Sequence, residues 1–546
     1  MLIGLASLLL GLPTILDGLP TGGDSRFHVR WVDGFTRELW DGTILPRWLN
    51  DGLLGYGSPV FYFYPPLGYV TAAGLGPPDA LGADLRLIIL TIALRALAGL
   101  ASYLWLARAA PAGTALAGAL LYVSAPYPLI VDSYLRGAYA ELWGFVWLPL
   151  MLHAVERIRA RSQAGFAELA LAWAGLLLSH LPSAIVAASV PFVYALVRQG
   201  WQPGSLVKLL AAMVLGLLLA AFALLPALAL LDEVGRAALL TAQRPWADGF
   251  VGIGLLRDEP AKAGVTLLNL GMLTVAIVAI GTARSRFDLG GRDRWLLATG
   301  AIALVAAFMT IPLSAPLWHL LPPLPYVQFP WRFNLVLSLA LAGLMPAVLL
   351  RLARIRRLDR LLRLALWAGV VAGLAIDAFG LYKYWPDGER GAARVAEARR
   401  AIEVPQHLPL EWVPRTASGG VDLLLADRGP KRPIVIEGEA RVLGWSSGGR
   451  PFRVDVATEA RIVVPRLHFT GVEVRADGRA IEHVAAWGPL GLVCFTLPPG
   501  RHELTIEQRM LPVEWTGLVI SVLGLALLIA VSSSRSLAAR AGLRAA

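Results

Sequence analysis

Near the N-terminus the sequence places an acid and a histidine where an apolar chain has little reason to carry either. In LPTGGDSRFHVRWVDGFTRELW (residues 19–40) a glycine pair introduces Asp24, and His28 follows four residues later. Read as a helix, the segment puts Asp24, His28, Trp31 and Phe35 on one face and Arg26, Arg30 and Arg37 on others. A carboxylate so placed can take a proton from an attacking hydroxyl. His28 can share or orient the same site, and Arg30 is a candidate for binding phosphate. Arg136, Glu141, His180 and Arg332 fall near the ends of apolar runs. Arginine suits phosphate because its planar fork can bind bidentately. Asp132, Asp232 and Glu233 are further acids, candidates for the acceptor side of a reaction. No D-x-D pair occurs in the first segment, since Asp24 is followed by Ser25 and Arg26, so no metal site and no cofactor is expected.

Each of these residues also has a plainer role open to it. An Asp after glycines is a common helix N-cap. Arg136 and Glu141 can pair with each other near a helix end. His180, just before Pro182, can be a satisfied interfacial histidine, and Arg332 in FPWRF can snorkel to headgroups. The ring-rich stretch GTILPRWLNDGLLGYGSPVFYFYPPLGYV (42–70) reads by composition as an aromatic belt seating the segment on a bilayer. The helix beginning at Asp24 would then lie in the interface, rings among headgroups and arginines near phosphates. Ionisable residues at membrane depth are nonetheless functional suspects.

These residues are positioned by a chain that is 56% hydrophobic and only 16% charged over 546 residues. A soluble domain carries roughly a quarter charged residues. Apolar runs of about 20 residues, long enough to cross a bilayer, recur throughout. The pattern predicts a polytopic α-helical membrane protein of about twelve transmembrane helices. The spans lie near 1–16, 83–108, 112–126, 138–156, 165–180, 183–198, 205–231, 263–282, 295–312, 332–352, 361–383 and 513–532. The first lacks a basic leader and an A-x-A cleavage site, so it reads as an uncleaved helix rather than a signal peptide. With both termini cytoplasmic, the arginine clusters ERIRARSQ, ARSRFDLGGRDR, RLARIRRLDRLLR and the C-terminal tail all fall inside, as the positive-inside rule requires. The net charge of +11 is therefore a topology signal and not a nucleic-acid footprint. A single cysteine, Cys494, excludes an intramolecular disulfide and a thiol-rich metal site.

The segments facing outward are 17–82, 127–137, 232–262, 313–331 and 384–512. The first is far longer than an ordinary connection, and long loops in compact structures are usually functional. From about residue 434 the pattern alternates, as in RVDVATEARIVVPRL and VCFTLPPGRHELTIE, with turn signals ADG and PPG. That predicts a small extracytoplasmic β-sandwich. The organisation expected is thus a transmembrane domain over 1–383, a mostly β domain over 384–512, and a last helix with a basic cytoplasmic tail over 513–546.

The order of motifs GGDSRFHVRW, LPRW and GYGSPVFYFYPPLGY resembles the first outer loop of the GT-C superfamily of integral-membrane glycosyltransferases. The likeness is nearest to the bacterial membrane proteins named for a 6-pyruvoyl-tetrahydropterin synthase related domain, close to the YfhO-like family; nothing in the chain supports pterin chemistry. It continues in DSYLRGAYAELWGFVWLPL (132–150), LLLSHLPSA (176–184) and YVQFPWRF (326–333), and in the β segment VVPRLHFTGVEVRADGRAI with GLVCFTLPPGRHEL.

The resemblance implies an active site at the outer face of the bacterial cytoplasmic membrane and a donor sugar carried on polyprenyl phosphate. Such a donor needs no nucleotide pocket, and no glycine-rich phosphate loop is present. It also implies that an acid early in the first outer loop, here Asp24, is the catalytic base of an inverting transfer to a glycan, lipid or protein acceptor. Membrane lipids are the other expected partners, and nucleic acid is not one. Two other readings compete: a lipid or polysaccharide transporter or flippase, and a non-catalytic cell-envelope scaffold whose β domain binds a polymer. Transporters often carry internal repeats and charge in mid-span, whereas here charge sits at span ends and no repeat is evident.

Overall fold

Apolar runs in this chain fold as helices, the one spanning geometry besides a closed barrel that satisfies its own backbone. The computed structural model describes residues 1–20, 23–162, 164–235, 245–282, 291–354, 412–420, 423, 431–445, 450–485 and 488–542. The expected span 361–383, most of 384–430, and much of three basic clusters lie outside the described residues.

Five described helices are long and apolar enough to cross a membrane: Ala83–Leu106, Ala112–Arg136, Leu181–Gln199, Pro260–Val278 and Pro512–Ser533. Two bent pairs raise the number to seven if each is one span: Pro203–Leu219 with Ala221–Ala229, at 71°, and Asp293–Met309 with Pro312–Leu320, at 87°. The expected count of about twelve is not reached among the described residues, for reasons that hydropathy cannot see. The first apolar run breaks at Gly11 into Leu2–Leu10 and Leu12–Asp17. The run 138–156 becomes a short turn, Tyr139–Leu142, and the helix Gly144–Arg159, which carries buried His153 and Glu156. Ala164–Leu177 has only 14 residues.

The charged end of Gly144–Arg159 is stapled rather than left to headgroups. Glu156 accepts hydrogen bonds from the Tyr194 hydroxyl at 2.8 Å, Arg198 Nε at 2.6 Å and Arg159 Nε at 2.8 Å. Arg157 pairs with Glu168 at 2.8 Å. Arg157 and Glu156 of the ERIRARSQ cluster therefore also hold neighbouring helices together, while Arg159 bonds within its own helix.

The segment 17–82 is ordered structure and not a free loop. Ser25–Trp40 is helical, as its spacing predicts, but its ring-bearing face turns into protein. Phe35, Phe61 and Tyr69 are buried, with ring centroids 4.8 Å (Phe35–Phe61) and 4.7 Å (Phe61–Tyr69) apart. The aromatic belt expected at the bilayer is instead a protein core, and the amphipathic helix does not lay these rings among headgroups.

The β region forms two antiparallel sheets. One has the order β1 (Ile434–Glu437), β4 (Ala460–Leu467), β8 (Leu492–Leu497), β7 (His483–Ala485). The other runs β2 (Ala440–Leu443), β3 (Phe452–Val456), β9 (Gly500–Gln508), β5 (Val472–Ala476), β6 (Arg479–Ile481). The ADG signal makes the β5–β6 hairpin, with Asp477 and Gly478 both at positive φ as a tight primed turn demands. Val454, Ile462, Val464, Val474, Phe495 and Leu504 fill the space between the sheets. β4 departs from simple alternation because it is covered on both faces. Val463 and Leu467 join the same core as Trp48, Tyr62 and Phe469, so the sandwich is packed against the 46–63 segment. Leu467 N–H donates to the Tyr56 carbonyl at 2.8 Å, and Gln508 Nε2 to the Tyr62 hydroxyl at 3.2 Å.

Candidate active site

Asp24 stands at the start of the helix Ser25–Trp40, yet its side chain makes no capping hydrogen bond. Capping alone therefore does not account for it. Its carboxylate Oδ2 lies 3.3 Å from Arg136 Nη2, and its backbone N–H donates to the Arg136 carbonyl at 2.6 Å. Two glycines permit this close crossing. Gly23 (φ +55°) has no room for a Cβ against the Arg136 backbone, and Gly137 (φ +65°) has none against Ser25.

Arg136 is the last residue of a π-helical stretch, Tyr127–Arg136, that ends at left-handed Gly137. The wide turn leaves carbonyls without helical partners, and the Asp24 N–H meets one of them. Arg136 Nη1 donates to Asp132 Oδ1 at 2.9 Å and to Glu141 Oε2 at 2.8 Å. Glu141 Oε2 also accepts from Arg332 Nε at 3.2 Å, and Oε1 from the Tyr127 hydroxyl at 2.8 Å. Arg332 further donates through Nη1 to the Val327 carbonyl at 2.7 Å and to Gln328 Oε1 at 3.0 Å. It is buried, so it does not snorkel to headgroups. Gln328 sits at φ +66°, ψ −41°, with Phe329 N–H bonded to the Val327 carbonyl at 2.8 Å. This is a γ-turn, a strained bend of the kind that clusters at functional sites, and here it turns Val327 O and Gln328 toward Arg332.

Of the three carboxylates only one reaches solvent: the Asp24 side chain is 39% exposed, against 0% for Asp132 and 1% for Glu141. Any substrate must therefore approach from the Asp24 side. Asp132 is a buried partner of Arg136 and does not present itself to an acceptor.

His28 faces the same region but is engaged elsewhere. Its Nδ1 is hydrogen-bonded across 2.7 Å to the Tyr69 hydroxyl, the direction set by the tautomer, and the rings of Trp31, Tyr64 and Tyr139 stand around it. Burial holds its pKa down to about 4, with Asp24 pulling it up and Arg136 pushing it further down. His28 is thus neutral at neutral pH and supplies shape and a hydrogen bond rather than positive charge. The sign of the pH dependence follows. The folded state refuses a proton that the unfolded chain accepts near 6.5, so stability is unaffected above that pH. It is lost as pH falls from 6.5 through 4, by up to about 3 kcal/mol. His28→Gln is expected to flatten the thermal unfolding midpoint across that window; an unchanged profile would count against this assignment.

His180 caps the helix Leu181–Ala187, its Nδ1 accepting from Ser183 N–H at 3.3 Å and lying 2.7 Å from Ser183 Oγ. Its electrostatic neighbours are Glu141, Arg332, Arg136 and His28, so it belongs to the same cluster. Arg30, two residues past His28, falls on the opposite side of its helix. Asp232 is exposed, and Glu233 acts electrostatically on His468 of the β region. Both lie in the short turn Leu231–Glu233, and Val234 just after it bridges to Pro414.

Two residues of the cluster escaped the sequence reading. Lys262 pairs with Glu259 at 3.0 Å, lies 4.7 Å over the Trp331 ring, and is an electrostatic neighbour of Arg136 and Asp24. Its signal was a lone lysine one turn into an apolar span after Pro260. Tyr64, within the supposed belt, is a neighbour of Asp24, Arg332 and Arg136. Among the described residues no group of three or more His, Cys, Asp or Glu is arranged to hold a metal ion.

No protein-family model and no curated protein matches the chain. Among solved structures it is similar to ArnT from Cupriavidus metallidurans bound to undecaprenyl phosphate, with 15% identity over 74% of this chain and 80% of that one, TM-score 0.45. It is also similar to the arabinofuranosyltransferase AftD from Mycobacteria, with 16% identity, 71% and 27% coverage and TM-score 0.43. A third is the Archaeoglobus fulgidus oligosaccharyltransferase in the apo form, with 15% identity, 71% and 55% coverage and TM-score 0.35. The chain thus spans only 27% of the length of AftD and 55% of the oligosaccharyltransferase.

Proposed function

We propose that the chain is an integral-membrane glycosyltransferase that moves a sugar from a polyprenyl-phosphate donor to an extracytoplasmic acceptor, with inversion and with Asp24 as base. One observation carries this reading. An accessible carboxylate, Asp24, touches an arginine that shares a buried glutamate with a second arginine, and the four residues come from three distant stretches of sequence. The acceptor oxygen bonds to the anomeric carbon as that carbon's bond to the phosphate oxygen breaks. The bonding pair leaves with the phosphate, and the acceptor proton passes to the Asp24 carboxylate.

Arg136, Arg332 and Lys262 are the groups suited to the leaving phosphate. Both guanidiniums are already matched by carboxylates, which fixes their geometry before substrate arrives. Lys262, held by one carboxylate and a ring face, is the cation freest to exchange partners. No divalent ion is invoked. The resemblance of the motif order to the GT-C glycosyltransferases supports the choice of donor. In the predicted orientation the cluster and the β sandwich lie outside a bacterial cytoplasmic membrane.

The test is reconstitution in liposomes with a panel of radiolabelled polyprenyl-phosphate sugars. Transfer from at least one donor to an acceptor is expected. Silence across the panel would sink the reading and favour a transporter or a scaffold.

A further inference from the structure

A second polar site lies where the β sandwich meets the 48–57 turn. A small, shallow cleft is lined there by Trp48, Asn50, Tyr56, Trp445, Arg450 and Arg466, among others. None of its lining residues is acidic. Arg466, on β4, is buried, its guanidinium 4.8 Å over the Trp48 ring. Nη1 donates to Asn50 Oδ1 at 3.0 Å and to the Ile506 carbonyl at 3.5 Å, while Nε finds no acceptor among the described residues. Trp48 Nε1, in the same lining, is likewise a buried donor without one.

The nearest carboxylate in this network, Glu38, reaches Arg466 only through Asn50, whose amide donates to Glu38 Oε1 at 2.7 Å. Burial holds the Arg466 pKa down to about 10, the mark of a cation short of a direct counter-charge. Buried cations in folded proteins are ordinarily paired. Two donors buried beneath the lining, a second arginine at the rim and no acid in the lining leave positive charge unbalanced at this cleft, which suits an anion.

We infer that this cleft binds an anionic group, a carboxylate or a phosphate, carried by a glycan. As a subsite for the acceptor it rests on the function proposed above, and it names the class of acceptor: an acidic saccharide polymer. Its position fits, because the cleft is built jointly by the sandwich and by the segment that carries Asp24.

The test is equilibrium binding, with no donor present, so that a failed transfer assay and a failed cleft are told apart. Full-length protein in nanodiscs is titrated calorimetrically with digalacturonate, with maltose 1-phosphate and with neutral maltotriose. Saturable binding of at least one anionic probe is expected, weakened by salt and reduced about tenfold or more by Arg466→Gln and by Arg450→Glu. The two anionic probes separate carboxylate from phosphate. If Arg466→Gln fails to fold, the surface change Arg450→Glu decides alone. Absence of saturable binding by both anions, equal binding of maltotriose, or wild-type affinity in Arg450→Glu would overturn the inference.

Discussion

Asp24→Asn is expected to lower turnover by about a thousandfold while the protein stays folded, the loss a missing general base produces. The substitution isolates the chemistry because so little of the fold depends on the charge. The contact of Asp24 with Arg136 is 3.3 Å long and its carboxylate is 39% exposed, so the pair contributes less than about 1 kcal/mol. The crossing itself is held by the backbone bond from Asp24 N–H to the Arg136 carbonyl, which Asn keeps. Asn also keeps an acceptor oxygen for the guanidinium. Affinity for the donor and the thermal midpoint should therefore barely move while turnover collapses. A variant with wild-type turnover would remove Asp24 as base. A variant whose activity falls only in step with its stability would make Asp24 a structural partner of Arg136.

The residues that the sequence singled out divide according to what made them visible. Asp24, Arg136, Glu141, His180 and Arg332 are legible because charge is scarce in this chain and these groups sit where apolar runs end. The structure gathers all five into one network. Asp232 and Glu233 satisfy the same criterion, yet Asp232 is exposed and Glu233 is an electrostatic neighbour of His468, and nothing in their spacing marks that difference. Lys262 was hidden for the opposite reason: one lysine in the first turn of a span looks like a snorkelling side chain.

The fold divides in a similar way. The period-2 pattern and the ADG turn predict the sandwich, because alternation is a local property that strand pairing preserves. The fate of Phe61, Tyr62 and Phe63 is not local. Rings that could seat on a bilayer are buried instead by β4 and by the helix Ser25–Trp40, and composition is the same in either case. Span counting fails where helices stop for reasons other than polarity. Gly11 and the 71° bend after Leu219 interrupt runs that hydropathy alone reads as continuous. The span expected to end at 126 instead runs on as helix through the π-helical stretch to Arg136, so 127–137 is not a free connection.

Glu141→Gln should have the largest effect on stability. One Glu141 oxygen accepts from Arg136 at 2.8 Å and from Arg332 at 3.2 Å, and the other accepts from the Tyr127 hydroxyl at 2.8 Å. An amide keeps one acceptor oxygen but turns a donor toward Tyr127 or toward a guanidinium, and it removes the charge that two buried arginines share. Removing one partner of a buried pair costs about 3–5 kcal/mol, a large part of the 5–15 kcal/mol that typically separates folded from unfolded chains. Asp132 Oδ2, buried and without a partner among the described residues, can recover some of this for Arg136 but does not contact Arg332. The expected outcome is a midpoint lowered by several degrees, with Arg332→Met in the double variant restoring part of the loss as coupled neighbours do. Two probes locate the failure. Tryptophan fluorescence follows mainly the helical part, which holds most of the 18 tryptophans, whereas labelling of Cys494, the chain's one cysteine and fully buried on β8, follows the sandwich. The fluorescence change should come first, because the lost charge lies among the helices. A midpoint equal to wild type would mean that the two arginines are held by Val327, Gln328 and Asp132 alone, and that Glu141 is free to act on substrate.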